Sequence, residues 1–119
     1  MNLIRWLLSK RPKPPEALFS VELTSADEVI CRPPNRPETR IPIADLGAVY
    51  VETNDSGPWG MDVWWVLLDK TEKLGVAYPL GAEGEDDVLA RLQSLPGFEV
   101  KGMDSTKNAR FLCWQAPSS

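Results

Sequence analysis

One run of apolar residues constrains the fold of this chain more than any other feature. Residues 62–69 read Asp-Val-Trp-Trp-Val-Leu-Leu-Asp. The run is far shorter than the roughly 20 apolar residues that a membrane-spanning helix needs, and its β-branched and aromatic side chains favour a strand. Consecutive side chains of a strand point to opposite faces, so we expect Trp64 and Trp65 to face apart. The run predicts a central strand that is covered on both faces.

Similar but weaker patterns flank this run on both sides. Alternating or β-branched segments predict further strands over residues 19–24, 29–32, 39–43, 48–53, 74–80 and 110–115. Short polar turns separate the first two of these segments, and another turn follows the tryptophan run, so we expect antiparallel hairpins at both places. Several prolines near position 35 exclude a central strand there because proline cannot donate a ladder hydrogen bond.

A single helix is clear in the body of the chain. Val88, Leu89, Leu92 and Leu95 recur at helical spacing, three acidic residues precede them, and a Pro-Gly pair follows. The order of strands, helix and final strand predicts an α+β fold: an antiparallel meander sheet or partial barrel covered by one amphipathic helix. The chain has 119 residues, which suits one domain, and we place it at residues 17–119.

The first sixteen residues differ in composition from the rest. Residues 1–16 combine apolar side chains, four basic residues and a cluster of prolines. Arg5 interrupts the apolar stretch that a secretory signal requires. We expect a short helical segment followed by a stiff proline spacer. The segment either packs on the domain itself or frays, or it makes a weak contact with a membrane surface through residues 1–15.

Charge and histidine content limit the function. The chain has a net charge of −4 and contains no histidine. An acidic chain is a poor phosphate-backbone binder, so we expect no nucleic acid partner. Without histidine, the common nucleophile–histidine catalytic sites cannot form, and we expect no enzyme. Residues 16–119 alone hold nine basic and 17 acidic residues. This acidic excess is compatible with an alternative function, an immunity-type inhibitor that binds a basic toxin.

The two cysteines predict a reducing compartment. Cys31 and Cys113 lie 82 positions apart and form no C-x-x-C motif. We expect reduced thiols and a cytoplasmic protein, although a disulfide between them is an alternative. Cys113 stands between Leu112 and Trp114, which look like core residues, so we expect its thiol to be inert.

Several short motifs resemble known families. Residues 40–51 combine two hydrophobic strand patterns around an Asp-Leu turn, and this stretch resembles the bacterial pleckstrin-homology-like domains. Four further motifs are similar to those of a family of small uncharacterised bacterial proteins; they lie at residues 62–65, 81–85, 92–98 and 108–114. The resemblance implies a bacterial source and a PH-like fold, and it implies no activity.

The candidate binding residues centre on a Gly-Pro-Trp-Gly loop. Trp59 lies on this loop, where burial is difficult, and tryptophan is enriched in interface hot spots. The full set that we predict to bind a partner is Trp59, Asp55, Asp62, Trp64, Lys107, Asn108 and Arg110. We expect the partner to be a protein or a second copy of the chain. A small hydrolase that uses Asp55 and Asp62 as its carboxylate pair is a further alternative.

We expect no cofactor and no metal. The acidic group at residues 83–87 fits no EF-hand spacing, and the start of the helix explains most of it. The glycines form neither a dinucleotide-binding fingerprint nor a phosphate-binding loop. The sequence therefore predicts a non-catalytic interaction module.

Overall fold

The computed structural model describes residues 18–53, 63–102 and 108–117. Within these ranges the chain forms seven strands and one α-helix. In chain order they are β1 (Ser20–Leu23), β2 (Glu28–Arg32), β3 (Thr39–Pro42), β4 (Leu46–Thr53), β5 (Val63–Asp69), β6 (Leu74–Pro79), α1 (Glu85–Gln93) and β7 (Ala109–Gln115). A short 3-10 turn, Ile43–Asp45, joins β3 to β4. The α+β class and its single body helix are confirmed; the predicted N-terminal helical segment lies outside the described residues.

The strands form two antiparallel sheets rather than one meander. Sheet 1 has the order β1-β2-β3, and sheet 2 has the order β6-β5-β4-β7. The predicted hairpins β1–β2 and β5–β6 are confirmed. The last strand, β7, pairs with β4 and not with β6, an order that the sequence does not predict. A parallel bridge between Ser20 and Glu83 connects β1 to the segment that follows β6.

The hydrophobic core lies between the inner faces of the two sheets and helix α1. Trp65 points into it with 2% of its surface exposed, and its ring stacks on Phe98 with 6.3 Å between centroids. Val88 and Leu92 of α1 are fully buried in the same cluster. The indole N–H of Trp114 donates a hydrogen bond to a carbonyl oxygen at 3.0 Å, so its one polar atom is satisfied.

Helix α1 begins at its acidic first turn, as predicted, and Arg91 anchors it. Gly84 precedes it with φ of +87°, a conformation that costs other residues energy, and a Cβ atom here would also collide with the carbonyl oxygen of Val21. Arg91 donates two hydrogen bonds of 2.8 Å to the carboxylate of Asp27, in the β1–β2 turn. This ion pair holds the pKa of Asp27 below its ordinary value. The helix is thereby tied to sheet 1, against which it packs.

Strand β5 confirms one prediction and corrects another. Trp64 and Trp65 face opposite sides of sheet 2, as the alternation predicts, and β5 has a neighbour on each edge. Covering on both faces is only partly right, because Trp64 and Leu68 on the outer side are half-buried. None of the helices formed by the described residues is long and apolar enough to cross a membrane.

The core assignment of Leu112 is wrong. Its side chain is 38% exposed, whereas Cys113 next to it is buried. A register shift between Val49 and Tyr50 sets Leu112 opposite Tyr50, on the outer side of sheet 2. A bulge of this kind changes which side chains reach the core, and strand periodicity alone does not reveal it.

Candidate partner-binding face

The outer side of sheet 2 carries aromatic and aliphatic side chains. We call it the aromatic face. Strand alternation and the pairing register place on it Ala48, Tyr50, Glu52, Trp64, Val66, Leu68, Ala77, Arg110, Leu112 and Gln115. Most of these side chains are apolar, although they point away from the main core.

Tyr50 occupies the middle of the aromatic face. Its cross-strand partners are Val66 on one side and Leu112 on the other. Val66 is 5% exposed yet does not belong to the core cluster, so its neighbours on this face shield it. Leu112 stays exposed beside them. The result is an apolar strip across three strands, of the kind that marks contact surfaces when it is large and has a polar rim.

Trp64 lies at one end of this strip and meets the start of the described chain. Its indole packs edge-to-face against Phe19, with 5.5 Å between centroids and 90° between planes. Such a T-shaped pair is a favoured aromatic geometry. Phe19 directly precedes β1, and its ring covers part of the Trp64 indole. Trp64 remains half-buried rather than buried.

A charged pair borders the strip. Arg110 and Glu52 lie directly opposite each other on β7 and β4, and a guanidinium nitrogen donates to the carboxylate at 3.1 Å. The guanidinium carbon also stands 5.3 Å from the ring centroid of Tyr50, within cation–π range. Both charged side chains are close to half exposed. Glu52 therefore helps to hold the Arg110 guanidinium over the Tyr50 ring, and the guanidinium stays accessible to a partner.

A half-open groove of about 740 Å³ runs along the face from Tyr50 and Arg110 to the β5–β6 turn. Its described walls come from the outer sides of β4, β5 and β7 and from the β5–β6 turn, including Ala48, Leu68 and Gln115. Asp69 at its edge accepts hydrogen bonds from Thr71 and from the Lys73 amide, and these bonds hold the pKa of Asp69 below its ordinary value. This carboxylate is committed to the turn, so it is a poor general base.

The outer side of sheet 1 is built differently, and we call it the charged face. Ile30 sits at its centre with 6% of its surface exposed. Arg32 contacts Glu22 at 3.0 Å and Glu38 at 3.3 Å. Arg40 contacts Glu38 at 2.6 Å and Glu28 at 3.9 Å. The aliphatic stems of such side chains cover apolar surface while their heads stay in water, so this face suits contact with solvent.

The two cysteines and Glu85 have structural roles in the fold. Burial raises the pKa of the Cys31 thiol to about 11 and also raises that of Cys113, and both cysteines are free and buried. Protonated, buried thiols are poor nucleophiles. Glu85, in the first turn of α1, accepts a hydrogen bond from the Gly81 amide at 2.9 Å. Among the described residues, no group of three or more acidic or cysteine side chains is arranged to hold a metal.

The structure places three of the seven predicted site residues. Trp64 and Arg110 both lie on the aromatic face, where each pairs across the sheet with Glu52. Asn108 is exposed immediately before β7. The other four residues lie outside the described ranges, namely Trp59, Asp55, Asp62 and Lys107. Their predicted role is therefore neither confirmed nor corrected.

Sequence reasoning missed other members of the face. Tyr50 was available from the alternation of β4, because the buried Val49 and Val51 flank it. Leu68 follows from the same alternation in β5. Leu112 had no comparable signal, because the register shift that exposes it depends on pairing with a distant strand.

No protein-family model, curated protein or solved structure matches this chain. The residues of the aromatic face themselves therefore indicate its role, and their chemistry is specific. It combines an apolar strip, an edge-to-face aromatic pair and an oriented arginine. This chemistry is typical of an interface core with a polar rim.

Proposed function

We propose that this chain is a non-catalytic binding module of the bacterial cytoplasm that recognises a protein partner through the aromatic face. The observation that carries the proposal is the contrast between the two outer faces. Arginine and glutamate side chains cover Ile30 on the charged face. On the aromatic face, Leu112 is exposed and Trp64 is half-buried.

The composition of the aromatic face favours a protein as the occupant. Tryptophan, tyrosine and arginine are the residues most enriched in interface hot spots. Here Trp64, Tyr50 and Arg110 lie on adjacent strands of one face. A protein partner can cover the apolar strip and also pair with the half-exposed Arg110 and Glu52 at its border.

The chemistry of the described residues favours binding over catalysis. The thiols of Cys31 and Cys113 are buried and protonated at neutral pH. Asp69, one of the two acidic residues that line the groove, accepts hydrogen bonds from its own turn. A shifted pKa in a cleft is a common mark of an active site. Here burial shifts the pKa of the thiols, and hydrogen bonds within a turn shift that of Asp69, so these shifts have structural causes.

The relationship to PH-like domains stays a prediction. The stretch that carries the resemblance, residues 40–51, spans the end of β3, the 3-10 turn and most of β4. Two antiparallel sheets packed with one helix are compatible with a partial barrel. The helix lies between β6 and β7 in the chain, so a PH-like account has to accommodate a strand after it.

Site-specific photo-crosslinking in living bacteria tests the proposal. A photoreactive amino acid replaces Leu112 on the aromatic face, and a matched variant carries it at Arg36, an exposed residue of the β2–β3 loop. We expect a discrete protein adduct from position 112 and none of that mass from position 36. The same adducts from both positions would contradict the proposal.

The mass of the adduct separates the alternatives. An adduct of twice the chain mass identifies a second copy as the protein partner. A basic toxin in the adduct supports the inhibitor alternative. A lipid adduct from position 112 would replace protein recognition by membrane association, the alternative suggested by residues 1–15.

A further inference from the structure

The groove of the aromatic face is concave because small residues form its floor. β4 contributes Gly47 and Ala48 to the lining, and neither has a side chain that extends beyond Cβ. Leu68 of β5 and Gln115 of β7 lie on either side, each opposite Ala48. Register shifts on both edges of β4 add local twist. The resulting half-open volume of about 740 Å³ lies within the range of ligand sites in proteins.

Exposed leucines stand on both sides of this groove. Leu112 of β7 is 38% exposed and pairs with Tyr50, which lines the groove. Leu74 of β6 is 63% exposed and pairs with Leu68, so it belongs to the same outer side of sheet 2. Covering these side chains removes apolar surface from water. The free energy of binding therefore favours an occupant with apolar side chains along its contact surface.

The backbone of sheet 2 favours a helical occupant. β4 pairs with β5 on one edge and with β7 on the other, and β5 pairs with β4 and β6. The sheet itself therefore uses the backbone groups of both central strands. An extended segment laid over them gains no ladder bonds, and its own N–H and C=O groups lose water. A helix pairs these groups internally.

The dimensions of the groove suit the same occupant. β5 and β7 flank β4, so they lie two strand spacings apart, about 9–10 Å. The diameter of a helix with its side chains is about 10–12 Å. From Tyr50 to Gly47 the floor is about 10 Å long, which equals about two helical turns. A convex helix fills this space, whereas the flat sheet of a second copy would span it and leave a void.

The charges around the groove select a protein rather than a surface of one sign. The described lining carries two cations, Lys70 and Arg110, and two carboxylates, Asp69 and Glu72. Glu52, which accepts a hydrogen bond from Arg110, adds a third carboxylate at the border. These carboxylates repel an anionic membrane or a nucleic acid. A helix with acidic and basic side chains on its flanks complements both signs.

We propose that the groove of the aromatic face receives an amphipathic α-helix of the protein partner. About two turns of this helix lie between β5 and β7. Its apolar side chains, spaced i, i+3 or i+4 and i+7, cover Tyr50, Leu68 and Leu112, and its charged flanks meet Lys70 and Glu72. This inference deepens the proposed function and rests on it, because it names the kind of partner that the same face takes.

Selection from a displayed library of random linear peptides tests which segment the groove prefers. The full chain is the target, and peptides are kept when Leu112→Glu abolishes their binding. We expect the kept peptides to share apolar residues at i, i+3 or i+4 and i+7, with charges of both signs between them. Apolar residues at every second position, charges of one sign only, or no peptide that depends on the face would overturn the proposal.

Proline substitution tests whether the selected peptide binds as a helix. One residue between the apolar positions in the middle of the peptide is replaced by proline, and in a matched peptide by alanine. Proline breaks a helix, so we expect it to weaken binding to the full chain by about a hundredfold. The alanine peptide should bind as the parent does. Equal affinities of the proline and alanine peptides, measured by calorimetry, would overturn the proposal.

Filling the groove tests where the helix lies. Gln115→Trp places a large side chain on the exposed wall of the groove, and Arg36→Trp places the same side chain in the β2–β3 loop. We expect Gln115→Trp to weaken binding of the selected peptide by about tenfold or more and Arg36→Trp to leave it unchanged. Melting curves of both variants verify that they fold. Unchanged binding in a folded Gln115→Trp variant would overturn the proposal.

Mapping the in-cell crosslink separates failure of this inference from failure of the proposed function. Tandem mass spectrometry of the adduct from position 112 identifies the partner residue that is attached. We expect it to lie in a segment with the same helical spacing as the selected peptides. Attachment to a strand, or to a second copy of this chain, refutes this inference alone. Groove-dependent helical peptides without any protein adduct in cells refute the proposed function alone.

Discussion

The two outer faces of this molecule cover their apolar centres in different ways. On the charged face, Ile30 is surrounded by arginine and glutamate side chains that pair with one another. On the aromatic face, Val66 is equally well buried, but its neighbours are Tyr50 and Ala77. Paired charges on flexible stems need no further partner. An exposed apolar strip gains free energy when a partner covers it.

The comparison shows that burial of a central residue does not reveal the role of a sheet face. Ile30 and Val66 are 6% and 5% exposed, so the two centres look alike. The residues around them differ: the neighbours of Ile30 are paired charged side chains, and those of Val66 are apolar with a single ion pair at the border. The surrounding side chains therefore decide which face is available for binding.

The two tryptophans of β5 should differ strongly in what their replacement costs. Trp65 is buried in the core, so Trp65→Ala should lower the free energy of unfolding by about 3–5 kcal/mol. Trp64→Ala removes a half-buried ring from the aromatic face and should cost about 1–2 kcal/mol. Urea unfolding at neutral pH measures both. Equal losses would show that the aromatic face belongs to the core.

The next effect concerns binding. Leu112→Glu puts a charge on the exposed part of the apolar strip and should weaken partner binding by about tenfold or more. Its stability should change little because the side chain is already 38% exposed. Ser25→Glu, an exposed residue of the β1–β2 turn, makes the same change in charge and should leave binding unaltered. Titration of the captured partner checks both, and equal weakening would point to net charge rather than to the face.

A smaller effect is expected on the charged face. Arg40→Ala removes contacts with Glu38 and Glu28 that are exposed to solvent. Exposed ion pairs contribute little, so the melting temperature should fall by about 1–5 °C and partner binding should not change. The fall should shrink at high salt. A loss of binding in Arg40→Ala would assign a role to the face that we describe as solvated.

The smallest effect is the response of the charged face to acid. The hydrogen bond from Arg40 holds the pKa of Glu38 below its ordinary value of 4.5. A group whose pKa is lower in the folded state stabilises the fold above its unfolded pKa, and this stabilisation is lost as the pH falls through the folded pKa. The urea midpoint should therefore fall between about pH 5 and pH 3, and by less in Arg40→Ala. An identical fall in the variant would show that other carboxylates cause the effect.

The sequence predicted the local features of this fold well. The pattern of residues 62–69 identified a central strand, and the spacing of Val88 and Leu92 identified α1. Both signals are local, because strand alternation and helical periodicity depend on neighbours in the chain. The opposite orientation of Trp64 and Trp65 follows from the same principle.

Pairing over long distances was harder to predict. The return of β7 to β4, and the bulge that exposes Leu112, depend on contacts between residues about sixty positions apart. No pattern within β7 encodes them, so the sequence does not predict the position of β7, and the core assignment of Leu112 was wrong. The Trp59 loop stays a prediction, since it lies outside the described residues.

Methyl chemical-shift mapping with the captured partner shows which outer face binds it. The full chain carries isotope-labelled isoleucine, leucine and valine methyl groups, which report both outer faces. We expect the partner to shift the signals of Val66, Leu68 and Leu112 and to leave that of Ile30 unchanged. Shifts at Ile30 without shifts at Val66 and Leu112 would contradict it.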